Sequence, residues 1–148
     1  MELTLTDVPV PGELLTAHVE PLIRVLRPAL DADGFARFAA EAAGQGLVFT
    51  AALDPAGRCL GVAAHRVLAT SRGRVLFVDD LVTSPAARST GVGARLLAAL
   101  AERGRAAGCV RIELDSGVQN HGAHRFYHAR RMAVAAFHFT LDLHPERP

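Results

Sequence analysis

The chain has no lysine and no tryptophan, one tyrosine and two cysteines in 148 residues, and its 16 basic residues are all arginine. Without lysine there is no Schiff-base chemistry and no phosphate loop of the G-x-x-x-x-G-K-[ST] type. Any phosphate must be held by backbone amides, hydroxyls and arginines. Cys59 and Cys109 stand in apolar surroundings at no metal or redox spacing, so they read as free, buried and reduced. No run approaches the roughly 18 apolar residues of a membrane span. Glu2 and Asp7 stand where a signal peptide would be basic, which favours a cytoplasmic location. With 16 basic residues against 15 acidic ones, the net charge of +1 gives neither nucleic acid nor a membrane surface a field to bind. What remains is an ordinary globular composition, 50% hydrophobic, and a length suited to one domain over residues 1–148.

Leu3 to Val8 alternates apolar with polar and predicts an opening strand. Glu13 to Leu26 and Asp33 to Ala43 carry apolar residues at helical spacing, the second ending at Gly44. Leu47–Leu53 and Cys59–Leu68 flank the turn Asp54-Pro55-Ala56-Gly57, a hairpin signal, and Arg72-Gly73-Arg74 turns the chain into Val75–Val82. Three strands on short turns make an antiparallel meander. A helix from near Gly91 and a strand Val110–Leu114 then form a crossover unit, which makes that strand parallel to Val75–Val82. Asn120–Arg130 predicts a shorter helix. Val134–Leu143 predicts a last strand, with Phe137, Phe139, Leu141 and Leu143 on one face, and the tail from His144 to Pro148 looks frayed.

The chemistry concentrates between the strand ending at Val82 and the helix after Gly91. Arg88-Ser89-Thr90-Gly91-Val92-Gly93 is an R-x-x-G-x-G pattern. Glycines let the backbone approach a pyrophosphate, and the first N–H groups of the helix point at it. The dinucleotide pattern G-x-G-x-x-G fails because Leu96 holds the third glycine position, which disfavours a nicotinamide cofactor.

This turn, with Pro85 before it and Leu96-Leu97 after it, resembles the acetyl-CoA signature of the GNAT superfamily of N-acetyltransferases. Asn120, Ala123 and Phe126-Tyr127 resemble the family's N-x-x-A-x-x-F-Y helix. The resemblance implies a mixed α/β fold: a mostly antiparallel central sheet, a splayed parallel pair in its middle and about four flanking helices. It implies acetyl-CoA as co-substrate, no metal, and an amine acceptor. The pyrophosphate would lie on the amides of Ser89, Thr90, Gly91, Val92, Gly93 and Ala94 with Arg88 beside it. The pantetheine arm would pair with the backbone of Leu81, Val82 and Thr83 beside a strand bulge, and Asn120 would bond its amides. Tyr127 would protonate the departing thiolate; its alternative is an aromatic packed beside Phe126. Asn120's alternative is the cap of its own helix.

Asp79 and Asp80 are the candidates for a general base, because a protonated amine cannot attack a thioester. Adjacent strand residues face opposite sides, so one of the two is expected in the cleft. Asp79, on the face of Leu81 and Thr83, is favoured; the alternative is that both cap the strand end or pair with arginines. His121, His124 and His128 share a helix face, but no carboxylate or cysteine completes a metal set. His138 is a reserve candidate for base or substrate contact.

The chain departs from the family pattern twice. Relatives carry Gly-Lys where this chain has Ser89-Thr90, whose hydroxyls stand in for the missing charge. They end the tyrosine helix with Gly-Phe where it has Arg131-Met132, so no glycine cap is expected there. Arg125, Arg130 and Arg131 form a basic cluster. The rival functions are an acyl-CoA-binding module without catalysis and an acetyltransferase for a protein or aminoacyl-tRNA. A homodimer through the last strand is allowed by the pattern.

Overall fold

A computed structural model, described over residues 2–144, turns these patterns into a sheet with helices on both faces. The described residues form two compact units, one ending at Leu114 and one beginning at Asp115.

In the first unit the strands are β1 (Thr4–Val8), β2 (Val48–Leu53), β3 (Cys59–Thr70), β4 (Gly73–Thr83) and β5 (Arg111–Leu114), side by side in that order. The first four are antiparallel, and β5 pairs parallel to β4 from Val75↔Arg111 to Val78↔Leu114. The parallel pair therefore lies at an edge of the sheet, not in its middle. The expected last strand is the reason. Residues 134–143 form no strand, and Phe137 and Phe139 are 84% and 90% exposed. The alternating pattern is present, but a strand needs a partner for its backbone, and among the described residues this segment has none. His138 Nδ1 lies 3.0 Å from Asp115 Oδ2, both in the second unit. Residues 145–148 of the tail expected to fray lie outside the described residues.

One sheet face is covered by α1 (Glu20–Leu26) and α2 (Ala32–Gly44), whose Leu22, Ile23, Phe35 and Ala39 bury against Phe49, Ala51, Val62, Ala64 and Val82. Asp31 caps α2 by accepting the Gly34 N–H at 2.7 Å. The helix expected over Glu13–Leu26 is helical throughout, with a wide turn over Leu15–Val19 where the Glu20 N–H reaches Leu15 O. Pro21 follows and has no N–H to give to an i→i−4 ladder, which suits a wide turn just before it. The opposite face holds α3 (Val92–Ala106), with Val92, Leu96 and Leu100 on Ala52, Ala63, Leu76 and Val78. Gly61 permits that approach: a Cβ there would stand 2.8 Å from Val92 Cγ1. Cys59 and Cys109 are free, as expected, but half-buried, and burial pushes the Cys59 thiol up.

Beneath α3 runs a polar chain, buried at Thr50 and His65 and open to solvent at Asp7. The Thr50 hydroxyl donates to Asp7 Oδ1 at 2.8 Å, so His65 Nε2–H must donate to Thr50 Oγ1, also at 2.8 Å. Arg103 of α3 closes the chain on Asp7 at 2.7 Å. His65 is 2% exposed. Burial, then the Arg103 charge, pushes its pKa from 6.5 down to about 4, against the opposing pull of Asp7 and Asp79. Because the folded pKa is the lower one, the unfolded chain binds the extra proton first. Stability from neutral His65 is complete above about pH 6.5 and is lost as pH falls towards 4, on the order of 3 kcal/mol at the limit. Urea midpoints between pH 7 and 4.5 are expected to fall in wild type and to flatten in His65→Gln. Parallel curves for the two would contradict this.

Candidate active site

β4 changes parity at Asp79-Asp80. Leu76 and Val78 pack under α3, whereas Val82, an even number of residues on, packs under α1 and α2. A bulge takes up the difference: Ala64 pairs with Asp80 and His65 with Val78, leaving Asp79 without a register partner. Alternation from Val78 puts Asp79 on the α1/α2 face, and alternation from Leu81, which packs under α3, puts Asp80 on the same face. The expectation that the two aspartates face opposite sides is corrected, as is the shared face of Asp79 and Leu81. Strict alternation holds only in an unbulged strand.

The two carboxylates have different partners. Asp79 gives both oxygens to Arg66, at 3.1 Å from Nε and 2.9 Å from Nη2, a bidentate pair. Asp80 gives only Oδ1, to Arg27 Nη2 at 2.8 Å. Its side chain is 9% exposed against 59% for Arg27. Burial pushes the Asp80 carboxyl above its ordinary range; the hydrogen bond and charge of Arg27 pull it back, and Asp79 adds to the rise. Asp80 is therefore the better proton acceptor of the two, with a second oxygen that no described residue takes. The pairing with arginines that the sequence left as the alternative is what the structure shows for both aspartates, but the sequence named neither arginine. Arg27 is 53 positions away in the chain, and no local pattern signals such a contact.

The ladder with β5 ends at Val78↔Leu114, while β4 itself runs on through Leu81, Val82 and Thr83. Pro85–Ala87 makes one tight helical turn, and Ser89 (φ 63°) and Gly91 (φ 91°) then both adopt left-handed backbone before α3 begins. No side chain caps α3 among the described residues, and its first backbone bond runs from Arg95 N–H to Gly91 O. The N–H groups of Val92, Gly93 and Ala94 thus precede any intrahelical acceptor and form the positive end of the helix dipole. That donor set, with exposed Arg88 beside it, fits the pyrophosphate of acetyl-CoA. The Thr90 hydroxyl is spent on the Ala87 carbonyl, so of the two hydroxyls expected to replace a lysine only that of Ser89 remains.

In the second unit, α4 (His121–Ala129) carries the downstream residues. Asn120 stands at its N-cap position, but its side chain makes no capping bond, which leaves the amide for another partner. Tyr127 is half-buried beside Phe126, with ring centroids 5.3 Å apart, and burial pushes its hydroxyl pKa up, so it holds its proton at neutral pH. His124 and His128 direct ring nitrogens at the carbonyls of Gly117 and Met132. Among the described residues no three His, Cys, Asp or Glu side chains converge on a metal position, and no helix is long and apolar enough to cross a membrane. Arg130 stacks its guanidinium 3.9 Å from the Phe126 centroid.

As expected, α4 ends without a glycine cap, yet it keeps the geometry of one. Met132 N–H bonds Tyr127 O and Arg131 N–H bonds His128 O, the two bonds of a Schellman cap, with Arg131 at φ 64° in the place glycine usually fills. Ser89 and Arg131 are the non-glycine residues with positive φ among those described. Left-handed backbone costs an L-residue roughly 1–2 kcal/mol, and glycine gives back about 0.5–1 kcal/mol in unfolded-chain entropy. Ser89→Gly and Arg131→Gly are each expected to raise stability by about 0.5 kcal/mol, read as a higher urea midpoint at unchanged slope. A fall in both midpoints would contradict the strain.

A mixed sheet with a bulged strand, followed by an uncapped helix N-terminus, is the arrangement expected of an acyl-CoA-dependent transferase. The family model described as acetyltransferase (GNAT) family matches residues 15–132. An uncharacterized N-acetyltransferase, YhdJ, of Bacillus subtilis (strain 168) is 36% identical over 114 residues, which cover 75% of this chain and 79% of that protein. An acetyltransferase of Trypanosoma brucei has a crystal structure similar to this one at a TM-score of 0.76 and 26% identity, over 96% of this chain and all of that one. The aminoglycoside N-acetyltransferase AAC(6')-Iy, solved in complex with CoA, matches at a TM-score of 0.81 and 18% identity over 95% and 94% of the two chains, a likeness of fold. The chain belongs to the GNAT acetyltransferase family. It is an N-acetyltransferase whose acetyl donor is acetyl-CoA.

Proposed function

We propose that the chain transfers the acetyl group by direct attack of a primary amine, on a small molecule or peptide, with Asp80 as general base and Tyr127 as general acid. The observation that carries this is Asp80 itself: a buried carboxylate on the β4 bulge, raised in pKa, with one oxygen uncommitted. Acetyl-CoA supplies an activated thioester carbonyl. The chain's own residues do the rest. The amides from Ser89 to Ala94 hold the pyrophosphate with Arg88, and the backbone of Leu81, Val82 and Thr83 takes the pantetheine arm with Asn120. Asp80 removes the ammonium proton so that a lone pair is available to attack. The backbone N–H near Val82 steadies the charge that develops on the carbonyl oxygen. Tyr127, protonated at neutral pH, donates its proton to the departing sulfur. Asp79, with both oxygens on Arg66, fixes the bulge that presents Asp80. The family match runs across Leu114 into α4, which supports treating both units as one catalytic domain.

Acetyl-CoA-dependent thiol release against a panel of amines, amino acids and peptides tests this reading. Turnover of at least one class, with the acetylated amine identified by mass, is the expected result. Turnover of none would favour a binding module.

A homodimer belongs to the same proposal. Val134, Phe137, Phe139, Leu141 and Leu143 are each at least 77% exposed on one extended segment, more apolar surface than a monomer ordinarily leaves in water. Light scattering is expected to give twice the chain mass of 15.7 kDa, falling to one chain in Phe139→Asp; a monomeric wild type would overturn it.

A further inference from the structure

Four charged side chains meet on the α1/α2 face of the β4 bulge: Asp79 with Arg66, and Asp80 with Arg27. Their formal charges cancel. Three of them are fixed in place: Asp79 and Arg66 saturate one another bidentately at 25% and 18% exposure, and Asp80 is 9% exposed. Arg27 differs. It ends α1, where its N–H bonds Ile23 O, and begins the short connection to α2; its side chain is 59% exposed and holds Asp80 through one nitrogen.

We propose that Arg27 is the specificity-determining residue of the acceptor site, selecting amines that carry a carboxylate on the same carbon, α-amino acids being the class. This rests on Asp80 as the base. An ammonium drawn to the open oxygen of Asp80 would add an uncompensated positive charge beside Arg27, at a partly buried site that is neutral without it. A carboxylate next to that ammonium removes the excess, because Arg27 can turn its exposed nitrogens to it while Asp80 takes the amine. A guanidinium suits such a contact, since it is always charged and presents several donors in one plane. An amine with a second cationic group meets the opposite balance, with two added positive charges against one open carboxylate oxygen. Peptides lack the carboxylate at the reacting residue, so the free amino acid is preferred over its peptide.

Matched pairs test this: leucine against isoamylamine and phenylalanine against phenethylamine, each with acetyl-CoA, in wild type, Arg27→Gln and Arg27→Lys. The wild-type kcat/KM is expected to favour the amino acid over its decarboxylated partner by tenfold or more. Arg27→Gln is expected to collapse that ratio to within about threefold, with the loss in KM for the amino acid, and Arg27→Lys to restore part of it. Calorimetric titration of each amino acid into the CoA-loaded protein reads the same discrimination without turnover. A wild-type preference for the decarboxylated amines, or a ratio unchanged in Arg27→Gln, overturns the assignment while leaving the N-acetyltransferase reading intact. No turnover and no binding in either member of any pair, beside turnover of another amine in the wider panel, overturns this inference and leaves the base assignment standing.

Discussion

Asp80→Asn is expected to lower kcat/KM for an amine acceptor by about 10²-fold or more, the usual contribution of a positioned base. The substitution keeps the shape of the side chain and its bond with Arg27, so acetyl-CoA affinity measured by calorimetry separates a lost base from a lost fold. The pH profile adds a second readout. Burial holds the Asp80 pKa above the ordinary carboxylate range, so wild-type kcat/KM falls on the acid side as Asp80 takes up its proton. That limb should disappear in the variant, because asparagine does not titrate. Asp79→Asn is the comparison: it loosens the Arg66 pair and the bulge, but it removes a carboxylate whose oxygens are already engaged. If Asp79→Asn costs the larger factor and takes the acid limb with it, the roles of the two aspartates are exchanged.

Tyr127→Phe is expected to cut kcat by roughly 10²-fold or more while the half-buried ring keeps its packing beside Phe126. The chemistry supplies a sharp control. A general acid matters most when the leaving group is a poor one, so a thioester with a more acidic thiol should narrow the gap between wild type and variant. An equal loss with both thioesters would assign Tyr127 to packing or donor placement. An unchanged rate with acetyl-CoA and a good acceptor would end its role as the acid.

Asp80 and Tyr127 mark the divide between what was legible in the sequence and what was not. Tyr127 belongs to a local pattern, and so does the donor turn. Arg88, Gly91 and Gly93 lie within six positions, and the physics of an uncapped helix N-terminus needs no distant partner. The antiparallel meander and the parallel return of β5 were equally local, set by short turns and a helix between strands. The bulge that presents Asp80 left no such signal: Val75, Leu76, Phe77 and Val78 are all apolar, as are Leu81 and Val82, so either parity could face either layer and only the packing separates them.

The arginine partners were not legible. Arg27 and Arg66 reach the bulge through the tertiary packing of α1 on the sheet and the pairing of β3 with β4, and the chain offers sixteen arginines with nothing to rank them. Ser89 and Arg131 show a subtler limit. Neither is a glycine, yet both take the left-handed conformation, which places the strain on an L-residue. The alternating run from Val134 to Leu143 shows the converse. A strand pattern was present, and it forms no strand among the described residues, because pairing is a property of two segments.

Direct transfer from acetyl-CoA to an amine is the central claim, and rapid mixing of stoichiometric protein with acetyl-CoA tests it most directly. Free CoA thiol is followed with and without an acceptor that the steady-state panel has identified. Neither half-buried cysteine is proposed as a nucleophile, and burial raises the Cys59 thiol further from its reactive form. Direct attack predicts no thiol release until the amine is present, and then one thiol for each acetylated amine. A stoichiometric burst of thiol without the amine, leaving an acetylated protein, would contradict it.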